Sequence, residues 1–75
     1  MANKWFDGVF LPSLEEKHDQ RNGKLWLTAK QVAICKRYME FSETVRGAMH
    51  YVAGSKMYCI QVAPNGCAAF HVLNR

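Results

Sequence analysis

The sequence predicts an α+β domain over residues 1–75, with two N-terminal helices packed on one face of a three-stranded antiparallel β-meander, in the order ααβββ. Three observations lead there. A helix start at Thr28 is marked by a cap and its partner. After Gly47 the apolar period changes from helical to alternating. Two turn signals, Gly54-Ser55 and Pro64-Asn65-Gly66, then divide the alternating part into three strands.

The first segment, residues 1–11, places Trp5, Phe6, Val9 and Phe10 on one side of a helical turn. Pro12 interrupts it, because a proline inside a helix loses a hydrogen bond and clashes with the turn before it. Ser13 and Glu16 offer a new capping box directly afterwards. Two arrangements fit: a kinked helix starting near Trp5 and ending near Gln20, or an aromatic arm followed by a helix starting near Pro12. Asn22-Gly23 ends the helix in both, since glycine readily takes the left-handed conformation past a helix C-terminus. Trp26, in the connection that follows, either covers the junction of the two helices or stands exposed as an anchor for a partner.

Residues 23–43 hold the most strongly signalled helix. Thr28 and Gln31 form a T-x-x-Q capping box, with Leu27 and Val32 at the positions of a hydrophobic staple. At about 100° per residue, Ile34, Tyr38, Phe41 and Val45 fall in one stripe, with Val32, Cys35 and Met39 in a second beside it. Lys30, Lys36, Arg37, Glu40 and Glu43 share the opposite, solvated side. The stripe implies a helix that continues past Phe41.

The strands are expected at residues 48–53, 57–63 and 67–73. A two-residue turn at Gly54-Ser55 sets residue 51 opposite 58 and 49 opposite 60. A three-residue loop at 64–66 sets 60 opposite 70 and 58 opposite 72. One face then carries Met49, Tyr51, Tyr58, Ile60, Val62, Ala68, Phe70 and Val72, the expected floor for the central helix. The last strand is expected to be an open edge.

The same register turns His50, Val52, Met57, Cys59, Gln61, His71 and Leu73 to the other face, together with Ala69. Two helices cover only one side of a sheet, so this face is the expected protein interface, for a foreign target or for a second copy of the chain. His50, Cys59 and His71 align across three strands, and these are zinc-ligand residue types. No C-x-x-C or H-x-x-x-H pair and no fourth ligand accompany them, so neither a metal nor a cofactor is expected. No catalytic residue is assigned either: the Cys-His pair lacks a readable orienting acid, and no phosphate loop or paired carboxylates appear.

Composition narrows the classes further. The chain has net charge +4 and a pI near 9.2, with 49% hydrophobic residues. No apolar run approaches the ~18 residues that span a bilayer. Three cysteines at irregular spacing, with no signal-peptide pattern, suggest a reduced, cytoplasmic setting without a disulfide framework. Lys17, Arg21, Lys24 and Lys30 gather around the expected inter-helix connection with Trp26 among them, which makes these five the candidates for nucleic-acid contact. Glu15, Glu16 and Asp19 dilute that patch, and no RNP-like or OB-like motif is present.

Phe10-Leu11-x-Ser13-Leu14, a polar stretch, Gly23, then Leu27-Thr28-x-Lys30-Gln31 resembles a helical hairpin of small phage and mobile-element proteins. Pro12 departs from that pattern. Leu27-Thr28-x-x-Gln31-x-Ala33 is also similar to the opening of a helix-turn-helix, but no turn glycine and second helix follow. The hairpin resemblance implies a phage-type source, not a catalytic residue. The expected function is a non-enzymatic binding protein that docks on a host protein or nucleoprotein inside the host cell, with an anti-CRISPR-like inhibitor of a defence complex as one form. The alternative is a nucleic-acid-binding accessory protein.

Overall fold

A five-stranded antiparallel sheet organises the chain, where the sequence predicted three strands. The computed structural model describes residues 3–74. The strands are β1 (Leu25–Leu27), β2 (Glu40–Phe41), β3 (Ala48–Ala53), β4 (Lys56–Val62) and β5 (Ala68–Asn74), in the spatial order β1-β5-β4-β3-β2. The ααβββ arrangement is therefore corrected. The meander is the centre of the sheet, and each of its outer strands carries one short additional strand.

The registers expected for the meander are present. Tyr51 faces Tyr58 and Met49 faces Ile60 across the first hairpin. Ile60 faces Phe70 and Tyr58 faces Val72 across the second. Gly54 has φ +62° while Ser55 has negative φ, the pattern of a II′ turn, which matches the twist of its strands. At the second loop Gly66 has φ +92° and the Asn65 carboxamide accepts from the Cys67 amide at 3.0 Å.

The two added strands explain the corrections. The central helix, α2, spans Ala29–Tyr38 and stops where Glu40 and Phe41 pair with His50 and Met49. Phe41 and Val45 consequently leave the apolar stripe and stand 57% and 49% exposed. No glycine or proline ends this helix; pairing with a distant strand does. Likewise β5 is not simply an open edge, because Leu25, Trp26 and Leu27 pair with Phe70, Ala69 and Ala68.

Local signals at the helix ends hold. The Thr28 amide donates to Gln31 Oε1 at 2.8 Å, and the Gln31 amide donates to Thr28 Oγ1 at 3.2 Å, completing the capping box. Of the two arrangements, the first is present in that the helix runs without a break through Pro12. A π-helical turn, Phe6–Phe10, runs directly into α1, Leu11–Gln20. The Leu11 amide reaches back five residues to the Phe6 carbonyl. The wider turn eases the approach of the Pro12 ring to the carbonyl four residues earlier. Ser13 does not cap a separate helix. At the other end, the Gly23 amide donates to the His18 carbonyl and the Asn22 amide to that of Asp19, with Asn22 and Gly23 both left-handed.

Both helices cover the same sheet face. Phe6, Leu11 and Leu14 from the first, and Val32, Cys35 and Met39 from the second, join Leu25, Leu27, Met49, Tyr58, Ile60, Ala68 and Phe70 in one core. The floor assigned to the central helix is shared with α1. Glu15 of α1 accepts from the Tyr58 hydroxyl at 3.1 Å and pairs with Lys56, and His18 lies edge-on to Phe70.

Candidate functional site

Alternation along five paired strands presents the face turned away from the helices as three rows. Trp26, Ala69, Gln61 and Ala48 form one row, and His71, Cys59, His50 and Glu40 the next. Leu73, Met57 and Val52 form the third. His50, Val52, Met57, Cys59, Gln61, His71 and Leu73 all lie where the hairpin turns were expected to put them. Val52 and Leu73 are 45% and 50% exposed, while Met57, Cys59 and His50 are half-buried. Between the rows is a depression of about 490 Å³ whose lining includes Ala48, His50, Met57, Cys59 and His71.

Trp26 is the main addition to this face. It lies between the buried Leu25 and Leu27, points outward and is 64% exposed, so it does not cover the junction of the helices. The buried–exposed–buried order of Leu-Trp-Leu is the trace of a strand, but three residues are too few to establish a period. Lys24 and His71 share with Trp26 a smaller depression of about 250 Å³.

The chemistry of the His71–Cys59–His50 row is muted. Burial pushes the Cys59 thiol up, toward the protonated form, whereas a nucleophile or metal ligand needs the thiolate. Among the described residues no group of three His, Cys, Asp or Glu side chains is arranged to hold a metal ion. The His50 imidazole faces the Glu40 carboxylate, Nε2 to Oε2 3.7 Å, across the short β2–β3 ladder. The Gln61 carboxamide donates to the Arg46 carbonyl at 3.2 Å, so one side chain of the predicted interface also holds the preceding loop against β4.

The nucleic-acid candidates do not form one patch with Trp26. Lys17 and Arg21 belong to the end of α1 and Lys30 to the first turn of α2, both in the helical layer, while Trp26 projects from the other side of the sheet. Lys24 alone borders the tryptophan. All four cations are exposed and, among the described residues, none forms an ion pair.

The stretch that carries the phage-hairpin resemblance folds as helix, strand, then helix, with β1 between α1 and α2. No helix among the described residues is long and apolar enough to cross a membrane. No family model, curated protein or solved structure matches the chain.

Proposed function

We propose that the chain is a non-enzymatic binding protein that docks on a protein partner through the open face of its sheet. The observation that carries this reading is the composition of that face. Its outward positions hold Trp26, Val52, Met57 and Leu73, and among the described residues their only charged side chain is Glu40. A face that bound nucleic acid would need cations for the phosphates, yet among the described residues no lysine or arginine occupies an outward position of the paired strands, and Lys24 only borders the face beside Trp26. Aromatic and methionine side chains with few charges are instead the composition of a protein-interface core. The phage-hairpin resemblance supports a narrower form, in which the partner is a host protein or nucleoprotein and docking inhibits a defence complex.

Capture from a bacterial lysate with the parent and with the Trp26→Glu and Leu73→Glu variants tests the reading. A partner retained by the parent at physiological salt and lost by both variants is expected. Failure of the parent to retain one, or equal retention by the variants, counts against it. Sedimentation of the parent alone identifies a second copy of the chain as the partner.

The exposure of Lys17, Arg21, Lys24 and Lys30, none of them ion-paired among the described residues, supports the second reading, an accessory protein that contacts nucleic acid chiefly through its helical layer. Titration with DNA and RNA across salt separates the two, since phosphate contact gives an affinity that falls steeply with salt.

A further inference from the structure

We propose that a notch at the β2–β3 edge of the sheet binds an organic cation, a guanidinium or alkylammonium group, between the rings of Tyr38 and Tyr51 and the carboxylates of Asp7 and Glu40. The proposal goes beyond docking through the open face and can fail without it.

The notch exists because β2 is so short. It pairs only with Met49 and His50, and toward its N-terminus the chain is already in α2. Among the described residues no strand covers the β2-side edge of residues 51–53. A cavity of about 540 Å³ occupies that corner, within the size range of small-ligand sites.

Its lining reverses the sign of the molecule. The chain has net charge +4 and only six acidic residues, yet Asp7 and Glu40 both line this cavity and, among the described residues, no lysine or arginine does. Tyr38 is the last residue of α2, so the carbonyl end of that helix, with its partial negative charge, lies at the same corner. A cation gains from each of these groups, and an anion is repelled by each.

The rings are already held in place. Phe6 stacks on Tyr38 at 4.6 Å between centroids and meets Tyr51 edge-on at 5.1 Å. The Tyr51 hydroxyl donates to Asp7 Oδ1 at 2.6 Å, fixing ring and carboxylate together. Little ordering is then required on binding, and aromatic faces attract cations. Aromatic walls and a roomy volume suit an organic cation better than a bare metal ion. His50 is the internal competitor for Glu40, but Glu40 is 86% exposed, which leaves that pair weakly held.

Amide chemical shifts of ¹⁵N-labelled protein, titrated with N-acetylarginine amide, test the proposal; the uncharged isostere N-acetylcitrulline amide is the control. Saturable shifts at Tyr51, Val52 and Gly54 are expected with the arginine probe alone. Asp7→Asn keeps an acceptor for the Tyr51 hydroxyl, removes the charge and should weaken binding about tenfold. Glu40→Gln, at an exposed position, should weaken it in the same direction and serves if Asp7→Asn perturbs the fold. A glycine-flanked peptide with one internal arginine distinguishes the sources. Tighter binding than the amide means that the cation arrives on a peptide chain, and equal binding means a free small cation. Absence of saturable shifts with either arginine probe, equal shifts with citrulline, or unchanged affinity in both variants overturns the proposal.

Discussion

The hydroxyl of Tyr51 donates a 2.6 Å hydrogen bond to the carboxylate of Asp7, 44 residues earlier in the chain. It ties the π-helical turn to β3. This bond, followed by burial, pushes the Tyr51 phenol up to about 12. Burial, followed by the hydrogen bond to Glu15, does the same for Tyr58, and burial alone raises the Cys35 thiol from 9.0 to about 12. Each group ionises in the unfolded chain before it does in the folded one. Their contributions are therefore complete below pH 9.0, the ordinary thiol value, and are lost as pH rises toward about 12. Urea midpoints measured across this range should fall steadily, and Tyr51→Phe should make the fall shallower. A flat profile would mean that these groups are not protected.

Two phenylalanines should respond very unequally to truncation. Phe70 is fully buried, so Phe70→Ala should cost ~3–5 kcal/mol, enough to threaten a domain this small. Phe41 was expected in the core on helical spacing, but it is 57% exposed. Phe41→Ala should cost less than ~1 kcal/mol. Denaturant midpoints of the two variants provide the comparison, and equal losses would return Phe41 to the core.

Thr28→Ala removes one half of the capping box. A loss of ~1 kcal/mol with an unchanged circular dichroism spectrum is expected. Gln31→Ala should lose part of the same stabilisation, and the double variant should lose less than the sum, because the two bonds form one motif.

Gly47 tolerates no side chain. Its φ is +81°, and an added Cβ would lie 2.6 Å from the Val62 carbonyl oxygen, whose own amide bonds back to the Gly47 carbonyl at 2.8 Å. Gly47→Ala should destabilise by ~1–3 kcal/mol. Gly8 has open space around its Cβ position and helical surroundings, so Gly8→Ala should be neutral or stabilise by up to ~1 kcal/mol. Thermal melts of the two variants should move apart.

Substitutions on the open face should separate stability from binding. Trp26→Glu and Leu73→Glu change side chains that are at least half exposed, so unfolding midpoints should stay within ~0.5 kcal/mol of the parent. At a docked interface the same charges would be buried without partners, which is costly. Loss of binding together with early melting would instead place these residues in the core.

What the sequence by itself determined lies in its local signals. The Thr28–Gln31 box, the Asn22-Gly23 stop and the two hairpin turns each depend on a handful of neighbouring residues. The turns in turn set the register that sends His50, Cys59 and His71 to the open face and Met49, Tyr58 and Phe70 to the core. Only the tertiary structure decided the rest. Strands of three and two residues have no period to read, and they exist because Leu25–Leu27 and Glu40–Phe41 find unpaired edges on β5 and β3. Helical spacing put Phe41 and Val45 in the apolar stripe; backbone pairing with β3 ended the helix before them. The same pairings turned Trp26 outward and left the notch between Asp7, Tyr38 and Tyr51. These groups are distant in sequence, and no local pattern could bring them together.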